Sequence, residues 1–198
     1  MPATKREWRA ELRAARRAVL PGQRQLESGL VGAQVLTLPE VLTAQSVHVY
    51  LSLPDEVDTA PIISALMEMG IEVVVPWMED DGSMSSVRLL PEDVAHIVIG
   101  PRGVPAAPEP RTVVPGQWDV VLVPLVGVDE RGTRLGNAAG HYDRLLAAHR
   151  RPSVALAFDC QVVEQLPAED HDIPMDVVVT PQGVWRAPPA RPGDGPSG

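Results

Sequence analysis

Apolar residues near the start of the chain recur three and four positions apart, at Trp8, Leu12, Ala15 and Val19, with lysine and arginine between them. That spacing predicts an amphipathic helix over residues 4–20, ended by Pro21-Gly22. A second helix is predicted over 23–37. His48 to Leu53 (HVYLSL) has strand character. Asp58-Thr59 then opens a helix through Met69, with Pro61 in its first turn and Gly70 as its stop. Ile71 to Val75 reads as the next strand, closing at Pro76. Asp80-Asp81-Gly82 reads as a hairpin turn into a short edge strand, Met84 to Leu90. Residues 91–116 hold several prolines and few periodic apolar positions, so they read as loop. A strand over 120–128, a helix over 141–150 and strands over 153–158 and 176–180 complete the pattern.

Strands alternating with helices imply an α/β fold whose largely parallel sheet is covered on both faces. The 198 residues suit one domain, expected over 1–186. The Pro/Gly-rich tail, 187–198, lacks the apolar content to fold and is expected to be disordered. Hydrophobic residues make up 44% of the chain, yet no apolar run is long enough to span a bilayer. The N-terminus is charged from its fifth residue and lacks the apolar stretch of a secretory signal. With one cysteine, an internal disulfide or a cysteine-based zinc site is excluded, and a cytoplasmic setting is expected. Cys160 itself reads as a small buried hydrophobe rather than a nucleophile. The net charge of −9 argues against broad nucleic-acid binding but leaves room for an anionic ligand wherever Lys and Arg cluster.

Val120 to Arg144 carries the densest chemistry. The apolar run gives way at Asp129 to a turn at Arg131-Gly132. The small-residue loop Gly136-Asn137-Ala138-Ala139-Gly140 and a helix start at His141 follow. Strand, glycine-bearing loop and helix start together point backbone N–H groups at an anion, usually phosphate. Arg134 adds a fixed positive charge, and Asp143 offers a carboxylate to a metal that rides with phosphates. The same letters also suit a plain tight connection, because neither GxxxxGK[ST] nor GxGxxG is present. Lys5 and Arg9, one turn apart on a helix face, make either a polyphosphate clamp or a solvated basic face.

The run D-x-x-G-x-R-L-G-x-x-x-G-x-Y-D-R, from Asp129 to Arg144, resembles the signature of the 5-formyltetrahydrofolate cyclo-ligase (5,10-methenyltetrahydrofolate synthetase) family, which usually reads R-L-G-x-G-x-G-Y-Y-D. Other segments resemble that family in the same order along the chain. Lys5 and Arg9, followed by Leu12, Arg13 and Arg17, match its opening K-x-x-x-R helix. Tyr50 to Thr59 matches Y-L-S-x-x-x-E-V-D-T, and Ala157 to Gln161 matches A-F-x-x-Q. His171 to Thr180 matches H-D-x-x-x-D-x-V-x-T.

The resemblance implies a three-layer αβα sandwich of Rossmann-like kind. It also implies ATP- and magnesium-dependent cyclisation of 5-formyltetrahydrofolate to 5,10-methenyltetrahydrofolate. By the same resemblance Lys5 and Arg9 contact the ATP phosphates, and the ATP loop runs through Arg134, Leu135, Gly136, Asn137, Ala138, Ala139, Gly140, His141 and Tyr142. Arg134 and Asp143 are the expected catalytic pair, and Asp143 with Asp176 the expected magnesium ligands. Leu51 and Glu56 are expected at the folate, where a carboxylate can accept the paired N–H donors of a 2-amino-4-oxo ring. Asp58 and Thr59 read as helix caps. Gln161 lies at a strand end, where α/β ligand sites form. His171 either positions phosphate or flanks the turn. The expected partners are a reduced folate and ATP, without nucleic acid or membrane, for a monomeric protein.

Three departures from the family pattern stand out. Ala138 replaces the middle glycine of the loop, at a cost of about 1–2 kcal/mol if the position needs a left-handed backbone. His141 replaces the first tyrosine. Ala107 replaces a glutamate, which Glu109 in the following Pro-Glu-Pro compensates if the alignment slips by two residues. They keep open an alternative, a catalytically impaired relative that still binds folate or nucleotide.

Overall fold

The computed structural model describes residues 4–137, 139–169 and 172–188. Ala138, His171 and the tail positions 189–198 lie outside the described residues. The chain begins with α1 (Lys5–Ala18), α2 (Pro21–Val35), the short α3 (Pro39–Leu42) and β1 (Ser46–Val49). Next come α4 (Ala60–Glu68), β2 (Glu72–Met78), β3 (Met84–Leu89) and the two-residue strands β4 (Val98–Ile99) and β5 (Pro105–Ala106). The C-terminal half holds β6 (Val120–Val123), β7 (Gly127–Asp129), β8 (Arg134–Leu135), α5 (His141–Ala148), β9 (Ser153–Leu156), β10 (Val162–Val163), β11 (Val177–Thr180) and β12 (Gly183–Arg186).

Seven strands form the main sheet in the order β12-β11-β9-β6-β1-β2-β3. Its five central strands run parallel, and β12 and β3 close the two edges antiparallel. The central strands are valine-rich and buried on both faces, as a sheet covered by helices requires. From β1 the chain passes through α4 to β2 in one direction; from β6 it passes through α5 to β9 in the other. Right-handed crossovers therefore set α4 and α5 on opposite faces. Side-chain alternation along β1 agrees: His48 meets Tyr142 of α5 with ring centroids 6.0 Å apart.

A three-stranded sheet, β10-β7-β8, stands apart from the main one. The apolar run over 120–128 is not one strand as predicted. Pro124, which has no N–H to give a ladder, breaks it, and the chain leaves the main sheet to enter the small one. Trp8 and Leu12 of α1 pack here with Val126, Leu135 and Leu166 in a second core. A Cβ on Gly127 would lie 2.3 Å from Leu12 Cδ1, so glycine is what lets α1 come this close. Thr4 fixes the start of α1 through a capping box with Glu7.

Other boundaries moved for local reasons. Pro21 opens α2 at its first position instead of only ending α1. β1 stops at Val49, and the residues after it turn away into a cleft. The 91–116 segment contains 3-10 helices at Pro91–His96 and Pro101–Gly103 beside the β4–β5 pair. Cys160, expected to be buried, is exposed in the middle of a 3-10 turn, where desolvation and nearby Glu27 push its thiol up. Arg186 is paired in β12, and Ala187 N–H donates to Asp176 O at 3.2 Å.

Asp129 closes the turn between β7 and β8. It is 1% exposed; Oδ1 accepts from Arg131 N–H at 3.0 Å and Thr133 N–H at 2.9 Å, and Oδ2 accepts from Leu166 N–H at 3.0 Å. Asp129→Ala leaves these donors buried and unpaired. It is expected to destabilise the fold by about 2–4 kcal/mol, read as a lower urea midpoint at unchanged slope.

Candidate functional site

Chain direction reverses between β1 and β6, and ligands of open α/β sheets bind beyond the carboxyl ends of strands at such a point. Tyr50 and Leu51 follow β1 and Pro124 follows β6. All three line a cavity of about 250 Å³ at this place. One wall is apolar, built from Leu51, Leu53, Pro76, Met78, Met84 and Val104. Gly136, Asn137, residues 139–143 and Arg134 also line the cavity. Apolar side chains beside a basic, glycine-bearing loop suit a ring system together with an anion.

Glu56 also lines the cavity and is 6% exposed. Its Oε2 accepts from Leu53 N–H at 3.0 Å, and Arg16 Nη1 lies 3.6 Å from Oε1. Burial pushes the Glu56 carboxyl above its ordinary 4.5, against the opposing pull of the Leu53 N–H, the Arg16 charge and the Asn137 side chain. Arg16 is 3% exposed and donates to Asp55 Oδ2 and, at 3.1 Å, to Leu125 O, so one guanidinium joins the ends of β1 and β6. Tyr142 also lines the cavity; its hydroxyl has no hydrogen-bond partner among the described residues. Burial and the Glu56 charge raise its pKa, so it stays a neutral donor. Tyr142, expected at ATP, is therefore grouped with Glu56 and Tyr50.

Arg134 Nη2 donates to Asp143 Oδ1 at 2.5 Å, and Nη1 reaches Pro124 O at 3.4 Å. Arg134 Nε is buried without a partner among the described residues. The loop folds directly over this guanidinium: a Cβ on Gly136 would lie 2.5 Å from Arg134 Nη1. Gly140 has φ 66°, a conformation that favours glycine, and hands the chain into α5 with Asp143 in the first turn. Two arginines of α1 hold the loop from outside. Arg9 Nε donates to Gly136 O at 2.9 Å, and Arg13 Nη2 donates to Asn137 Oδ1 at 3.0 Å. Ala139 and His141 line the cavity, and Arg144 Nη2 lies 3.0 Å from His141 Nδ1.

Some expected site residues are placed elsewhere. Asp176 precedes β11 at the opposite, amino-terminal end of the sheet. There it accepts from Ser153 N–H at 2.8 Å, Ser153 Oγ at 2.7 Å and Arg150 Nη2 at 2.7 Å. The structure does not bring Asp176 to Asp143; its carboxylate is engaged by these strand-start hydrogen bonds. Leu135 is 2% exposed in the small core, not at the cavity. Gln161 is a buried strut, donating to Leu125 O and Val126 O and accepting from Phe158 N–H. Glu109, the possible stand-in at Ala107, is paired with Arg111 at 3.0 Å and does not line the cavity. Lys5 lies away from the cavity wall, its Nζ 2.6 Å from Asp172 Oδ2 and 3.0 Å from Glu169 Oε2. Burial alone would lower its pKa, but these two carboxylates raise it.

Arg16, Asp55, Met78 and Met84 were not singled out from the sequence. An arginine in a basic helix reads as solvated, and the two methionines meet the cavity only because a hairpin folds there. Among the described residues no group of three or more His, Cys, Asp or Glu side chains is placed to hold a metal by itself. Gly136→Ala is expected to push Arg134 off Asp143, destabilising the loop by about 1–3 kcal/mol. Thermal melts and binding of a nucleotide to the purified variant check this.

Comparison with known proteins agrees with this geometry. Residues 2–181 match the 5-formyltetrahydrofolate cyclo-ligase family. The 5-formyltetrahydrofolate cyclo-ligase of Escherichia coli K12 is 36% identical over 179 residues, 88% of this chain and 98% of that protein. The enzyme of the same name from Mycolicibacterium smegmatis is 30% identical, covering 91% and 95%. The solved structure of Aquifex aeolicus 5,10-methenyltetrahydrofolate synthetase superposes with a TM-score of 0.81 at 32% identity, covering 94% of each chain. Fold, collinear motifs and relatives coincide: this chain belongs to the 5-formyltetrahydrofolate cyclo-ligase family.

Proposed function

We propose that the protein performs the ATP- and Mg2+-dependent cyclisation of 5-formyltetrahydrofolate to 5,10-methenyltetrahydrofolate, with release of ADP and phosphate. The observation that carries this reading is the cavity, whose lining combines a buried carboxylate, apolar side chains and a cation-held glycine loop. In the reaction the γ-phosphoryl group of ATP passes to the formyl oxygen. N10 of the folate then attacks the activated carbon, the ring closes, and the C–O bond to phosphate breaks. Such a transfer asks the protein mainly for positioning and charge neutralisation.

The residues meet that demand. Glu56 accepts the paired N–H groups of the pterin, while Leu51, Met78 and Met84 cover its faces. Arg134 faces the charge that develops on the transferring phosphoryl group and keeps Asp143 aimed into the cavity. Arg9 spends Nε on Gly136 O and keeps its Nη groups for phosphate. Lys5 trades Asp172 and Glu169 for the triphosphate. A carboxylate beside an anion-facing loop fits magnesium, which takes one or two carboxylates and completes its shell with phosphate oxygens and water. Asp143 would hold the ion, whose chemistry there is to neutralise phosphate charge.

The test is absorbance at the methenyl-folate band after mixing protein with 5-formyltetrahydrofolate, Mg2+ and ATP. An ATP-dependent rise is expected, cut by about a hundredfold or more in Asp143→Ala. A flat trace from protein that still binds folate would instead mark a relative that has lost the reaction. A pH profile examines the other half of the site. The pterin donors need ionised Glu56, and its pKa lies above 4.5, so folate affinity falls as pH drops through that raised value. Glu56→Gln is expected to bind folate weakly at every pH, with the acid limb gone.

A further inference from the structure

A second cavity, of about 350 Å³, lies between α5, the start of β3 and the segment that leads into β6. Met84 and His141 line both this cavity and the first. The first, at about 250 Å³, falls below the roughly 300–1,000 Å³ that one organic ligand ordinarily fills, yet it must take a pterin and a phosphate chain. We propose that the second cavity receives the aryl-glutamyl arm of the folate, which passes between Met84 and His141 and brings a carboxylate to Arg144. This deepens the functional reading above and rests on it for the identity of the molecule.

The chemistry of the lining suits an arm of that kind. No aspartate or glutamate among the described residues lines the cavity. Its nitrogen-bearing side chains are Trp118, His141, Arg144 and His149, of which Arg144 carries a fixed positive charge. Arg144 Nη2 lies 3.0 Å from His141 Nδ1. A guanidinium only donates, so Nδ1 accepts and the ring hydrogen of His141 belongs on Nε2, a further donor. Trp118 is 1% exposed, and its indole Nε1–H is buried with no hydrogen-bond partner among the described residues. The ring of His149 stands edge-on to Trp118 with centroids 5.8 Å apart. Gly116 leaves room for it: φ there is 81°, and a Cβ would lie 2.8 Å from His149 Nδ1. The hydroxyls of Ser85 and Ser86 are engaged by Glu79 and His48. An acceptor entering the cavity therefore meets nitrogen donors, while Met84 and Leu145 offer the apolar contact that an aryl ring needs.

Arg144 is exposed, so its substitution leaves both cores intact. Dissociation constants are measured for 5-formyltetrahydrofolate and for its diamide, in which both glutamyl carboxylates are amides. Wild-type protein is expected to bind the diamide about tenfold more weakly, and Arg144→Ala to bind both compounds with that weaker affinity. Equal affinities in wild type overturn the proposal. An Arg144→Ala protein that keeps the wild-type preference also overturns it, even if both affinities fall, because Arg144 then only shapes the loop through His141. A second measurement does not depend on the pterin: N-(4-aminobenzoyl)glutamate alone is titrated into 15N-labelled protein. The Trp118 indole signal is expected to move in wild type and to need about tenfold more of the fragment in Arg144→Ala. A Trp118 signal that stays still in wild type, or moves equally in both proteins, overturns the assignment. Wild-type protein that binds neither folate compound defeats the proposed function instead, and the Trp118 signal then decides the second cavity on its own.

Discussion

Cations projecting from a single helix hold the cavity's loops in place. Arg9 and Arg13 grip the 136–137 loop, Arg16 grips Asp55 and the carbonyl of Leu125, and Lys5 grips Asp172 near the C-terminal strand. The other face of the helix anchors it: Trp8 and Leu12 are buried in a small core that is separate from the main sheet. Position 127 must be glycine for that anchor to seat, because Leu12 already occupies the space of a side chain. The loops come from strands far apart in sequence, and this one helix gives them a common frame.

That frame decides how a buried charge is tolerated. An isolated carboxylate at the depth of Glu56 would take up a proton, and burial does raise its pKa. Arg16 stands against this trend, itself almost wholly buried and shared among Asp55, Leu125 and Glu56. Neither group would be stable alone in this position. Together they leave a buried hydrogen-bond acceptor among the apolar side chains that line the cavity.

Periodicity in the sequence located the major helices and parallel strands because burial there follows one repeat for each element type. It could not locate the break at Pro124, where apolar letters continue on both sides while the backbone changes sheet. The C-terminal edge strand was missed because Gly183–Arg186 is short and only half buried. Within the site, Glu56, Arg134, Gly136 and Asp143 were legible as letters of a motif, and the cavity does gather them. Asp176 belonged to an equally good motif, yet it lies at the opposite end of the sheet. A motif records identity and spacing but not which end of a strand a side chain occupies. Arg16 was invisible for the opposite reason: an arginine among arginines gives no sign that it is the one turned inward.

The last strand has a consequence for the solution behaviour of shortened forms of the chain. β12 covers the outer edge of β11, whose residues Val177–Thr180 are all buried, and Arg186 fastens it through an ion pair with Glu40. Ending the chain before Gly183 would leave three consecutive valines with an unpaired ladder of N–H and C=O groups at the margin of a parallel sheet. Such an edge is a template for pairing with another chain. This hairpin, remote from the cavity, therefore protects the molecule from self-association, a burden that falls on residues with no part in its chemistry.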